Sequence, residues 1–102
     1  MRESVIERYL VRQVKNILHG QAKKLHNRND PDRLVLLPHG LMYFVETKAP
    51  GKKPRPGQTR EFARLEALGF PVRVLDTYEA VDDFIRFRGG LISYMYGKGG
   101  LA

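Results

Sequence analysis

Apolar residues near the start of the chain fall at Val5, Ile6, Tyr9, Leu10, Val14, Ile17 and Leu18. Spacings of three and four place them on one stripe of a helix running from Glu3 to Leu18, which His19-Gly20 ends. Ala22 to His26 reads as a short strand ahead of the polar, turn-prone "NRNDP". The period then changes. Leu34 to Leu37 and Leu41 to Val45 are apolar runs joined at Pro38-His39-Gly40, the pattern of a hairpin with strands near Arg33 to Leu37 and Met42 to Lys48. The following "APGKKPRPGQ" holds three prolines and two glycines, which predicts an exposed loop without regular structure.

Thr59 to Leu68 predicts a second helix with Phe62, Leu65 and Leu68 on one face and Gly69 placed to stop it in a left-handed cap. Phe70 to Leu75 reads as a buried strand. It follows a helix that follows a strand, so the right-handed crossover rule makes it parallel to Met42 to Lys48. Asp76 and Glu79 resemble a capping box opening a third helix, whose Val81, Phe84 and Ile85 face inward. Residues 1 to 88 form the expected domain. Residues 89 to 102, with five glycines around Leu91, Ile92, Tyr94, Met95 and Tyr96, read as a Gly-rich tail. The fold class is α/β in the order α-β-β-β-α-β-α: a small mixed sheet flanked by helices in two or three layers.

A chain of 102 residues, 42% of them hydrophobic, suffices for one domain with a modest core. It has no cysteine, so any metal must be held by carboxylates, carbonyls or the three histidines, which favours a hard cation. His19, His26 and His39 lack paired ligand spacing. No apolar run reaches the length of a membrane span and the N-terminus has no signal-peptide core, so an intracellular, soluble protein without a membrane partner is expected. Eighteen Lys and Arg against 11 Asp and Glu give a net charge of +7, which attracts a polyanion and makes nucleic acid the leading partner. Many small proteins are basic without binding anything specific, so position must decide.

Position points to the hairpin. Asp32 opens one strand and Glu46 lies near the end of the other, so antiparallel pairing brings them to the same end of the sheet. Glu46 and Lys48 share a face, because strand side chains alternate. Two neighbouring carboxylates repel, which implies either a divalent metal between them or a raised pKa. With Lys48 beside them, the group can hold a metal, polarise a phosphate oxygen and position or deprotonate a water. Each piece alone has an ordinary reading: ExK in a strand is usually a solvated ion pair, and Pro-Asp is a turn signal.

Taken in order, Pro-Asp, turn, an apolar strand ending in Glu-x-Lys, then helix match the PD-(D/E)xK nuclease signature, on a restriction-endonuclease-like core. Through "ESVIERYLV", "PDRLVLLPHG", "FVETKAPGKKPRPGQ" and "LEALGFPVRVLD" the chain resembles the virus-type replication-repair nuclease (VRR-NUC) family, in its minimal viral form. The resemblance implies a DNA phosphodiesterase in which Asp32, Glu46 and the Thr47 backbone carbonyl bind Mg2+ or Mn2+ and Lys48 serves the water. It also implies catalytic roles for Gln58 and Glu7, and metal contact for Glu3 or Glu7, which share a helix face. Branched DNA, such as four-way junctions, is the implied substrate, in the cytoplasm of a bacterial host for a viral member. Asn29-Asp30 stand where the family has glycine and a small apolar residue; asparagine tolerates the positive φ that such a turn needs. Asp30 reads as a solvated carboxylate.

Lys52, Lys53 and Arg55 follow the Glu-x-Lys closely, placing positive charge beside the acids, with Lys23, Lys24 and Arg28 extending the track. Phosphate contact is the functional reading and a solubilising loop the ordinary one. Paired cuts across a junction need two sites, so a homodimer using residues 89 to 102 is expected. The alternatives are a non-catalytic basic nucleic-acid-binding module, or a flap- or end-directed nuclease subunit that depends on another chain. Two acids inside the contact surface favour the enzyme.

Overall fold

The computed structural model describes residues 1–97. Its elements are α1 (Glu3–Leu18), β1 (Gln21–Lys24), β2 (Arg33–Leu37), β3 (Leu41–Thr47), α2 (Pro56–Ala67), β4 (Val72–Leu75) and α3 (Tyr78–Gly97). The four strands form one sheet in the order β1-β2-β3-β4. β1, β2 and β3 are antiparallel neighbours, whereas β3 and β4 run parallel, as the crossover through α2 requires. This is the α/β order expected from the apolar pattern.

The hairpin register pairs Arg33 with Val45 and Leu37 with Leu41. Its three-residue connection closes because His39 and Gly40 both adopt left-handed backbone, with φ of 70° and 74°. One face of the sheet offers Val35, Leu37, Val45 and Leu75 to Ile6, Leu10, Val14 and Leu18 of α1 and to Val81, Phe84 and Ile85 of α3. That contiguous apolar layer fixes where both helices lie, and with them the N-terminal turn of α1. By alternation Leu34, Phe44 and Glu46 point to the opposite face, and α2 reaches that face where Gln58 bonds Glu46.

Three local expectations change. α2 begins at Pro56, inside the segment read as irregular, because proline is suited to the first helical turn, where its missing N–H has no helical partner to lose. Thr77, not Asp76, caps α3: its hydroxyl accepts the Ala80 N–H at 3.0 Å, while Asp76 accepts the Gly51 N–H at 3.3 Å and ties the basic loop to the end of β4. The third change is larger. Residues 89 to 97 continue α3 rather than forming a tail, and Ile92 packs against the core. Two glycines cost a helix about 1 kcal/mol each, but Gly89 lies against Leu18 of α1, so packing overrides propensity. The rest of the expected tail, residues 98 to 102, lies outside the described residues.

Candidate active site

Extending the hairpin register by one step sets Asp32 opposite Glu46. The two strands thus deliver both carboxylates to one end of the sheet, and the backbone holds them there. The Asp32 N–H donates to Glu46 Oε1 at 3.0 Å. In return, the Thr47 N–H and hydroxyl donate to Asp32 Oδ2 at 3.1 and 2.9 Å. Thr47 is fully buried, so its side chain orients Asp32 from within the sheet. Sequence reasoning gave Thr47 only a backbone role; the hydroxyl one residue after Glu46 was the available signal.

Glu46 is only 1% exposed. Its Oε2 accepts from Lys48 Nζ at 2.9 Å and from Gln58 Nε2 at 3.0 Å. Burial pushes the Glu46 carboxyl above the usual range; the hydrogen bond from Lys48 pulls it back, and the nearby Asp32 charge pushes it further up. Gln58 is the junction of this network. Its Oε1 accepts from Lys48 Nζ at 3.2 Å and from the Arg55 N–H at 3.0 Å, so one side chain starts α2 and fixes both Glu46 and Lys48.

α1 decides between its two glutamates. Glu3 enters the site: its Oε1 lies 3.7 Å from Lys48 Nζ, and carboxylate oxygens of Glu3, Asp32 and Glu46 all lie within 4.8 Å of one another. Glu7, expected as a catalytic residue or metal ligand, lies outside that cluster. Its Oε2 accepts from Lys24 Nζ at 2.7 Å and from Arg33 Nε at 2.9 Å. Burial pushes the Glu7 carboxyl up, but the hydrogen bonds and charges of Lys24 and Arg33 outweigh this and hold it below the usual range. A helix turn advances about 5.4 Å, enough to move a side chain from the end of the sheet to its flank.

The basic residues divide similarly. Lys52, Lys53, Lys23 and Arg28 are exposed. Lys24 is engaged by Glu7, and Arg55 Nη2 donates to the Arg28 carbonyl at 2.7 Å, so those two hold structure together. Asn29 does not adopt the left-handed backbone expected of it. Its side chain instead stands over Gly57, where an added Cβ would lie 2.6 Å from Asn29 Oδ1. Asp30 is partly exposed and lies outside the acidic cluster.

Three carboxylates and one lysine at the mouth of a β-hairpin, braced by a glutamine from the next helix, define the class: a PD-(D/E)xK-type nuclease core. No family model matches the chain. "Putative nuclease p44" of Acyrthosiphon pisum secondary endosymbiont phage 1 is 52% identical over 82 residues, covering 78% of this chain and 87% of that protein. A solved VRR_NUC domain superposes with a TM-score of 0.76 at 34% identity, covering 82% of this chain and 94% of that one. The chain belongs to the VRR-NUC family of nucleases.

Proposed function

We propose that this nuclease is a divalent-metal-dependent DNA endonuclease that hydrolyses phosphodiester bonds, with branched DNA such as four-way junctions as its substrate. The observation that carries the reading is the excess of carboxylates: Glu3, Asp32 and Glu46 converge within 4.8 Å, and among the described residues Lys48 is the cation paired to Glu3 and Glu46. Such a donor set of hard oxygens fits Mg2+ or Mn2+, and burial, with the Asp32 charge adding to it, raises the Glu46 carboxyl. Asp32, Glu46 and Glu3 would hold the ion, with the Thr47 carbonyl as a further donor. The ion would supply Lewis acidity at the scissile phosphate and lower the pKa of the attacking water.

The chain's own residues have distinct tasks in this reading. Lys48 presents its ammonium beside Glu46, placed to donate to the attacking water or to a phosphate oxygen as negative charge develops. Gln58 and Thr47 are positioning residues: the first fixes Glu46 and Lys48, the second Asp32. Lys52 and Lys53, exposed beside the site, contact flanking phosphates.

A homodimer completes the proposal. One acidic cluster is present among the described residues, and paired incisions need two. Phe87 and Tyr94 of α3 are 67% and 62% exposed, an apolar surface suited to a second copy. Incubating labelled junctions, flaps, duplexes and single strands with Mg2+ or Mn2+ tests the substrate, and sedimentation of wild type beside F87E/Y94E tests the assembly. Paired, metal-dependent cuts in junctions by a dimer are expected. Equal cutting of all DNA shapes would remove the junction preference, and paired cuts by a monomer would remove the dimer.

A further inference from the structure

A second charged surface runs away from the acidic cluster, and nothing above assigns it. Along the outer side of α1 lies a groove of about 550 Å³, lined by Ser4, Arg8, Arg12, Lys15 and, from β2, Arg33. Arg8, Arg12 and Lys15 stand at i, i+4 and i+7, one stripe of the helix, on the side away from the buried Ile6, Leu10 and Val14. All three are exposed, and none enters an ion pair among the described residues. Arg33 differs from them. Its side chain is 20% exposed, and it is held by Glu7 at 2.9 Å and by the Ala22 carbonyl at 3.0 Å.

A stripe of solvated arginines needs no concavity and no cation from a separate strand. Four cations gathered around a channel with Glu7 as the carboxylate lining it make a local positive field, and such a field draws a chain of phosphates. The groove also has a direction. It opens at Ser4, next to the cluster residue Glu3, and extends to Lys15, about 16 Å along the helix at 1.5 Å per residue.

The sheet order supplies the last constraint. The groove flanks the β1 and β2 side of the sheet, whereas the loop of Lys52 and Lys53 leaves β3 and is tied to the end of β4 by Asp76. The acidic cluster, built on β2 and β3, lies between them.

We propose that the α1 groove is a binding track for the sugar-phosphate backbone of DNA, which crosses the acidic cluster and leaves along Arg8, Arg12 and Lys15. Lys52 and Lys53 hold the strand on the other side of the cut. This deepens the nuclease reading by naming the surface that takes one flank of the substrate, and it rests on that reading for the strand's position over the cluster.

The test is DNA binding by fluorescence anisotropy across a salt series, with D32N as the background so that the DNA stays intact. R8A/R12A/K15A is compared with R64A/R73A/R86A, which removes the same formal charge from exposed positions outside the groove. Melting curves confirm that both variants fold. The groove variant is expected to bind roughly tenfold or more weakly and to lose about 2 to 3 units of salt slope, against less than about twofold for the control. Equal losses in the two variants, or none in the groove variant, would overturn the track. Cleavage by the Asp32 protein is read separately: binding through the groove without any cutting would support the track while refuting the nuclease reading.

Discussion

Two charged clusters sit one helix turn apart on α1, and their charge balance differs in kind. At Glu3, three carboxylates face the ammonium of Lys48. At Glu7, one carboxylate faces an ammonium and a guanidinium. The second cluster more than neutralises its own carboxylate. The first cannot: its most buried member, Glu46, has its carboxyl pushed up by burial and by Asp32 despite the hydrogen bond from Lys48. The same residue type on the same helix face therefore does two different jobs. What separates them is the company that the sheet provides.

The contrast breaks most visibly in catalysis. D32N, E46Q and K48A are each expected to lower cleavage by about three orders of magnitude, or about 4 kcal/mol of transition-state stabilisation, with DNA binding largely retained. Single-turnover cleavage beside anisotropy measures both; cleavage within tenfold of wild type in D32N would end the assignment of Asp32. E7Q is expected to cut at close to the wild-type rate.

Stability should reverse the ranking. E7Q leaves Lys24 and the largely enclosed Arg33 without their carboxylate and is expected to cost about 2 kcal/mol in urea unfolding at neutral pH. Because the Glu7 carboxyl is held low, its contribution is present above the ordinary value of 4.5 and is lost as pH falls through its folded pKa. The gap between wild type and E7Q should close in acid. Glu46 has the opposite sign. Its raised carboxyl favours the fold while protonated, and that contribution is lost as pH rises through its folded pKa, so metal-free E46Q should be no less stable than wild type at neutral pH. A large loss of stability in metal-free E46Q would show that its ion pair with Lys48 outweighs the repulsion.

The smallest effect separates the two helix glutamates directly. Glu3 is 47% exposed at the rim of the cluster, so E3Q is expected to weaken Mn2+ binding about tenfold, or about 1.4 kcal/mol, and E7Q not at all. Equal affinities in E3Q and wild type would place Glu3 outside the metal's reach.

The hairpin, its register and the parallel fourth strand were legible in the sequence, because apolar runs, turn residues and the crossover rule are local signals. Asp32, Glu46, Lys48 and Gln58 do meet, since two strands and the next helix turn suffice to bring them together. The choice between Glu3 and Glu7 was not legible. Both lie on one helix face, and only the docking of α1 through Ile6, Leu10 and Val14 sets which of them reaches the end of the sheet. The course of α3 past Gly89 was hidden for a similar reason: the contact with Leu18 that supports it comes from the other end of the chain. The Arg8, Arg12 and Lys15 stripe went unread in the sequence, because its groove depends on Arg33 arriving from β2.

The central claim is that the cluster with excess carboxylates holds a divalent cation and the one with excess cationic groups does not. Calorimetric titration of Mn2+ into wild type, E7Q and E46Q tests it without reference to any substrate. One site per chain in wild type and in E7Q, with binding lost in E46Q, is the predicted result. Undiminished binding in E46Q, or no binding by the wild-type chain, would contradict it.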